Sequence, residues 1–316
     1  MKKASEKILD SKKILVLSHK RPDGDSIGSQ LGLIAALKKI KKGVFCINED
    51  PVPEVFSFLE NTDIINTKIK IPDSVDLIIC LDISNLDRLG ENLLSEIKKR
   101  NTFKINIDHH ISNEYFGDIN IVNTDSSSSS EIIFKLLKKL NIKIDKSVAE
   151  PLLTGIVTDT GSFRYSNVNY KTFEIASSLL KLGANLEKIS REVYMSNPFS
   201  KVKLASKVIE RMIIIDDKAF SYILQKDFMD LQAKMEYTDG LVNELLNIKG
   251  VNFSVLITEE KINFARISFR SKIKKYDANV FAKNFNGGGH RYAAGGKSDA
   301  SIEKTLEILE MKLRKL

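Results

Sequence analysis

The sequence predicts an α/β protein in two parts: an N-terminal domain with a parallel sheet and flanking helices, and a smaller C-terminal domain of mixed α+β character. Three observations predict this. Through the first half, short apolar runs alternate with helix-period segments, the rhythm of a parallel sheet covered by helices. Beyond Asn197-Pro198 the order changes to a helix followed by two hairpins. At 316 residues, the chain also exceeds the usual size of one compact domain. Residues 1–185 are expected to form the first domain, 186–200 a helical linker and 201–316 the second domain, with the functional site in a cleft between the two.

The strands of the first domain are predicted at 14–17, 44–47, 77–81 and 104–107. Between them, a helix over 26–39 places Ile27, Leu31, Ile34 and Ala35 on one face. The serine run 126–130 is expected to line a loop and cap a helix over 131–140. Residues 147–158 put Val148, Leu152, Ile156 and Val157 in helical register, and a helix over 172–182 stops at Gly183. Asn185 caps a further helix that ends before Asn197-Pro198. The second domain should open with a helix carrying Ala205, Val208, Ile209 and Met212 on one face, then a hairpin turning at Asp216-Asp217-Lys218. A second hairpin pairs 251–257 with 262–270, and a helix begins near Asp277. A glycine-rich loop over 287–296 and a closing helix from Ser301 complete the chain.

Composition narrows the class. No apolar run approaches the roughly 20 residues of a membrane-spanning helix, and the N-terminal apolar run is too short for a secretory signal, so no membrane is expected as a partner and a cytoplasmic location is. The two cysteines, Cys46 and Cys80, each lie in an apolar strand-like run and read as buried thiols rather than a disulfide. A net charge of +8 permits a polyanionic ligand, but the lysines are dispersed, and a solvated basic surface is the better account of them on charge alone.

Chemistry enters where apolar runs end in ionisable residues. The first strand leads to His19, the third to Asp82 and the fourth to Asp108-His109-His110. Parallel strands finish on one edge, where such folds bind ligands. Asp23 and Asp25 flank Gly24 after the first strand, and Asp159 ends an apolar helix. Gathering four carboxylates costs several kcal/mol unless cations neutralise them. A mixed oxygen and imidazole donor set suits Mn²⁺ better than Mg²⁺ or Ca²⁺, and the lack of thiolate argues against structural zinc. Two ions roughly 3.5–4 Å apart would activate a water for attack on phosphorus. The chain has four histidines, three in these clusters and the fourth, His290, in the glycine-rich stretch.

The strings Ser18-His19-Lys20-Arg21-Pro22-Asp23-Gly24-Asp25, Leu81-Asp82, Ile107-Asp108-His109-His110 and Thr158-Asp159-Thr160-Gly161 resemble the four motifs of the DHH phosphoesterases. Gly287-Gly288-Gly289-His290 is similar to the signature of their associated C-terminal domain. Within that superfamily, the two-domain layout resembles the bacterial nano-RNase and pAp phosphatase branch. The resemblance implies one Mn²⁺ on His19, Asp23 and Asp82 and another on Asp25, Asp82, His109 and Asp159, with Mg²⁺ or Co²⁺ as possible substitutes. Asp82 would bridge them. Adjacent side chains leaving a strand tend to diverge, so His110 is the candidate to contact the scissile phosphate and protonate the leaving oxygen. Asp108 is either an outer group orienting a metal-bound histidine or a turn residue. Related proteins imply a homodimer.

The second domain should recognise substrate through Arg270, Ser271, Gly288, Gly289 and His290, with Arg88 of the first domain also facing it. Three glycines let backbone N–H groups approach an anion, and a guanidinium grips phosphate in two places. Expected substrates are short RNA or DNA oligonucleotides of about two to five nucleotides, linear dinucleotides, and 3′-phosphoadenosine 5′-phosphate. The competing readings are a RecJ-like single-strand exonuclease, a manganese-dependent pyrophosphatase, and a non-catalytic nucleotide-binding regulatory module. The pyrophosphatase predicts a basic C-terminal signature where this chain has its glycine-rich stretch. The regulatory module predicts lost metal ligands, and none is missing here.

Overall fold

Apolar runs rich in Ile, Val and Leu bury both faces only when they pair in the middle of a sheet, and the first half of the chain does this. The computed structural model describes residues 1–316, which divide into two units, Met1–Ser196 and Asn197–Leu316. In the first, α1 (Lys2–Asp10) leads into β1 (Lys13–Leu17), α2 (Gly24–Lys39), β2 (Gly43–Ile47), β3 (Ile65–Asn66) and β4 (Leu77–Leu81). There follow α3 (Glu91–Lys98), β5 (Lys104–Asp108), β6 (Ile119–Val122), α4 (Ser129–Lys139), α5 (Lys146–Asp159), α6 (Tyr170–Lys181) and α7 (Leu186–Tyr194). The strand order is β3-β2-β1-β4-β5-β6 with every pairing parallel. Successive connections run to opposite sides of β1, so the carboxyl ends of β1 and β4 border a topological switch point.

All five residues of β4 are buried, and the two faces of the sheet separate cleanly. Ile14, Val16, Ile79, Ile105 and Ile107 pack under α1, α2, α4 and α5, while Leu15, Leu17, Ile78 and Cys80 pack against Leu93 and Ile97 of α3. Cys46 and Cys80 are buried and unbridged. Gly24, Gly28 and Gly32 form one stripe of α2 that faces α5. A Cβ at Gly28 would strike the Pro151 carbonyl and lie 2.8 Å from the Gly155 nitrogen. The two helices therefore pack backbone to backbone, which brings the N-terminus of α2 beside the C-terminus of α5. No helix is long and apolar enough to cross a membrane.

The second unit contains α8 (Phe199–Glu210), β7 (Ile213–Ile215), β8 (Lys218–Ile223), α9 (Gln225–Asp230), α10 (Leu241–Leu246), β9 (Phe253–Lys261) and β10 (Phe264–Ser271). It ends with α11 (Ala278–Ala282), β11 (Gly288–Gly289), β12 (Ala293–Ser298) and α12 (Ile302–Arg314). Its mixed sheet runs β11-β12-β10-β9-β8-β7, with only the β8–β9 pair parallel. Strict alternation along β10 sends Ile267 and Phe269 into a core with Phe281, Leu309 and Leu313. On the other face, α8 and α10 cover Ala219, Ile223 and Leu256.

Two expectations change here. The buried face of α8 is centred on Leu204 and Val208, with Ala205 and Met212 packed beside them, while Ile209 is 44% exposed at the outer edge of the stripe. The glycine-rich stretch is mostly strand, not loop: β12 pairs with β10 and β11 folds back on it. Glycine serves close approach, since a Cβ at Gly287 would collide with the Gly295 carbonyl. Only residues 290–293 form the turn, closed by His290 N–H to Ala293 O at 2.7 Å.

Candidate metal centre

Each donor of the first unit leaves the end of a regular element. His19 lies two residues beyond β1, Asp82 directly follows β4, and His109 and His110 follow β5, so three strands deliver them to one sheet edge. Asp23 is the N-cap of α2, its carboxylate accepting the Ser26 N–H at 3.0 Å. Asp25 lies in the first turn of α2 and Asp159 is the last residue of α5. Asp82 turns off its strand at φ +58°, a left-handed conformation that aspartate tolerates better than most side chains.

Asp82 is the shared centre. Its Oδ2 lies 3.5 Å from His19 Nε2, and its Oδ1 lies 3.5 Å from His109 Nε2. His19 Nε2 is also 3.8 Å from Asp23 Oδ1, and His109 Nε2 is 3.4 Å from Asp159 Oδ2. Three overlapping triads each keep their donor atoms within 4.8 Å of one another: His19, Asp23, Asp82; Asp25, His109, Asp159; and Asp82, His109, His110. The last runs against the expectation that the adjacent histidines diverge. His110 Nδ1 comes within 3.6 Å of the same Asp82 oxygen that faces His109, because both residues lie beyond the final strand residue, where alternation no longer applies.

Asp25 is held by the N-terminus of α4: Ser129 N–H donates to its Oδ2 at 2.6 Å and Ser130 N–H to its Oδ1 at 2.9 Å. Ser129 Oγ donates to Asp82 Oδ1 at 3.1 Å. Asp108 is fully buried and bonds His110 Nδ1 at 2.6 Å, so the imidazole it orients is that of His110, not of His109 in the expected metal set. Sequence reasoning missed the Ser129 contact with Asp82, its run having been read as lining a loop and capping α4, and Asn113, which donates to Asp108 at 2.6 Å. A lone asparagine in a loop carries no signal of its own.

The groups act mainly on one another. Burial opposes charge on His19, but its bonds to Asp23 and Asp82 raise it to about 10. Burial likewise opposes ionisation of Asp82, yet His109 and His19 hold it well below the usual carboxylate range. Asp25 is pushed well above that range by burial and then by Asp82 and Asp159. Burial raises Asp159 to about 7, with His109 pulling down and Asp23 and Asp82 pushing up. Carboxylates so placed share protons with imidazoles where divalent cations would otherwise neutralise them. The donor set fits such cations.

Arg88 is exposed, and its carbonyl accepts the Lys20 N–H at 2.7 Å, tying its turn to the His19 loop. In the second unit, register groups most of the remaining candidates: Arg270 pairs with Ala293, Gly289 with Ala294, and His290 closes the turn onto Ala293. Two of the three glycine N–H groups already have partners within the unit. Gly287 N–H donates to Ala282 O, and Gly289 N–H to Asn279 Oδ1 at 3.0 Å. Ser271 is buried, with its hydroxyl donating to Ile273 O.

A switch-point sheet with a cation-ready carboxylate and imidazole cluster on its carboxyl edge suits a metal-assisted hydrolase. The N-terminal domain of the DHH family matches residues 13–156, and the DHHA1 domain matches residues 219–315. The chain is 30% identical to the bifunctional oligoribonuclease and PAP phosphatase NrnA of Bacillus subtilis over 89% of its own length and 88% of that protein. For the protein of the same name from Thermus thermophilus, identity is 29% over 95% and 90%. The crystal structure of an exopolyphosphatase-related protein from Bacteroides fragilis superposes with a TM-score of 0.92 at 31% identity, covering 99% of this chain and 95% of that one. The chain belongs to the DHH family of phosphoesterases.

Proposed function

We propose that this protein is a manganese-dependent phosphodiesterase and phosphatase acting on short oligonucleotides, linear dinucleotides among them, and on 3′-phosphoadenosine 5′-phosphate. The observation that carries the reading is the two-sided Asp82 carboxylate, with one oxygen toward His19 and the other toward His109. One cation would be held by His19, Asp23 and Asp82, and a second by Asp25, Asp82, His109 and Asp159. Mn²⁺ suits these mixed oxygen and nitrogen donors, with Mg²⁺ or Co²⁺ as substitutes. Bound there, the cations supply Lewis acidity and acidify a water for attack on phosphorus.

The chain's own groups do the rest. Asp82 holds the two halves of the donor set in register. His110 Nδ1 is held by Asp108, and in the imidazolium form, with both ring nitrogens protonated, His110 would donate its Nε2–H to the leaving oxygen and keep the Nδ1–H on Asp108. Arg88 adds a cation beside the His19 loop. In the second unit, Arg270 and His290 bind the terminal nucleotide by guanidinium–phosphate and imidazole contacts. Gly288 and Gly289, both exposed, keep the flank of His290 free of side chains, and Ser271 anchors the strand end behind Arg270. The relatives named for oligoribonuclease and PAP phosphatase activity support this substrate class. Two buried free thiols suit the reducing cytoplasm, and a homodimer belongs to the same reading.

The test is a substrate panel with purified protein and Mn²⁺: a labelled dinucleotide, a long single strand, 3′-phosphoadenosine 5′-phosphate and pyrophosphate. The dinucleotide and the nucleoside bisphosphate should turn over fastest. Faster attack on the long strand would transfer the reading to a RecJ-like exonuclease. Binding without turnover of any substrate would transfer it to a regulatory module.

A further inference from the structure

Beside the donor cluster, one side-chain amide has every hydrogen-bonding position filled. Asn113 Nδ2 donates to Asp108 Oδ2 at 2.6 Å and to Ile83 O at 3.1 Å. Its Oδ1 accepts from Asn106 Nδ2 at 3.1 Å and from Tyr115 N–H at 2.7 Å. An asparagine amide has two N–H groups and two lone pairs, so all four are used. Flipping the amide would turn an acceptor toward Asp108 and Ile83 O and a donor toward the Tyr115 N–H, so the network fixes its orientation. Asn113 is buried, and its own N–H closes back on His110 O at 3.2 Å.

What this amide holds is the Asp108 carboxylate. Asp108 Oδ1 accepts from His109 N–H at 2.8 Å and faces His110 Nδ1 at 2.6 Å. With Oδ2 gripped by Asn113, the carboxylate plane cannot swing, and a carboxylate in that position keeps the hydrogen of His110 on Nδ1. This matters because the same nitrogen lies 3.6 Å from Asp82 Oδ1. Released from Asp108, it would be available as one more ligand beside His109. Two adjacent histidines would then compete for one role.

We propose that Asn113 is a positioning residue: acting through Asp108, it holds His110 Nδ1 on the Asp108 carboxylate and out of the donor set around Asp82. The proposal rests on the reading of His110 as the substrate-facing histidine. Because the amide also bonds Ile83 O, and the Glu114 N–H bonds Ser84 O at 2.8 Å, it couples the loop after β5 to the segment that follows Asp82.

Two substitutions separate positioning from packing. Asn113→Ala removes the amide, and Asn113→Asp keeps its shape and both acceptors but loses the donors to Asp108 and Ile83. In protein shown by thermal melting to be folded, both should lower kcat on the dinucleotide by about 10- to 100-fold with KM within about twofold, the scale seen when an outer partner of an active-site group is lost. ¹⁵N-histidine spectra of the metal-free protein should show the His110 Nδ1–H, assigned by its absence in His110→Ala, and should lose it in both Asn113 variants. Asn120→Ala is the control. It cuts the bonds from Asn120 to Tyr115 O and Gly117 O in the same loop and leaves the Asn113 amide in place. The proposal is overturned if kcat of folded Asn113→Asp stays within about threefold of wild type, if the Nδ1–H signal survives, or if Asn120→Ala loses as much kcat. Should wild type turn over neither substrate, the functional reading fails, and the spectra still decide the link from Asn113 to His110.

Discussion

Asp82 combines three costs in one residue: a left-handed backbone at φ +58°, near-complete burial, and a charge taken out of water. Left-handed strain alone costs on the order of 1–3 kcal/mol, and an unpaired buried carboxylate costs more. The surroundings offset this through His19, His109 and the Ser129 hydroxyl. Asp82→Asn preserves size and removes the charge that two of the three triads share. Hydrolysis should fall by more than about 100-fold and calorimetric Mn²⁺ affinity should weaken with it; a rate within about tenfold of wild type would remove Asp82 from the bridging role. Arg270 poses the opposite case, since it belongs to the other unit, on β10, and is no part of the donor cluster. Arg270→Ala should raise KM or shift the preferred oligonucleotide length while kcat on the smallest substrate changes little. Steady-state kinetics across a length series measures this, and an unchanged profile would exclude Arg270 from recognition.

Helix pairing sets how tightly the acidic donors meet. The α2 and α5 backbones touch through glycine, and Gly155 faces the site: a Cβ there would strike Ser130 Oγ and lie 2.7 Å from Asp25 Oδ1. Gly155→Ala should destabilise the metal-free protein by about 1–3 kcal/mol and weaken Mn²⁺ binding as well, because Asp25 must move off the α4 N–H groups. A Cβ at Gly32 would strike the Leu152 side chain and meet the Val148 carbonyl at 3.4 Å, with no metal donor among its neighbours, so urea melts and Mn²⁺ titrations of the two variants should show a loss of metal affinity in Gly155→Ala alone. The strand ends were legible in the sequence because β1, β4 and β5 are short apolar runs broken by charge, and a parallel sheet sends such ends to one edge. The β3 and β6 strands were not, since two and four residues on an edge carry too little periodicity. Residues 287–296 misled because glycine composition signals a turn, whereas here it permits a close backbone approach that only β10 reveals. Asn113 had no signature, its importance being entirely in its partners.

At the scale of the molecule, protons and cations compete for the same donors, and the sign of the competition is fixed. Asp159 is raised from the ordinary aspartate range to about 7, so the folded chain binds its proton more tightly than the unfolded chain does. The stability this contributes is present at acid pH and is lost as pH rises through about 7. His19, raised to about 10, follows the same sign: its ion pair with Asp23 and Asp82 contributes fully below the ordinary histidine value and fades as pH climbs toward 10. Asp82, held low, contributes in the opposite sense and is lost only as pH falls into the carboxylate range. Above about pH 6, therefore, the metal-free fold should lose stability with rising pH. Cations bind the deprotonated donors and release those protons. The gain in Tm from a fixed Mn²⁺ concentration should grow steadily between about pH 6 and pH 8, and calorimetry in buffers of different ionisation enthalpy should register net proton release. A gain that stays flat or shrinks over that interval would mean that Asp159 and His19 do not surrender protons to the metal, and the six-residue donor set would have to be redrawn without them.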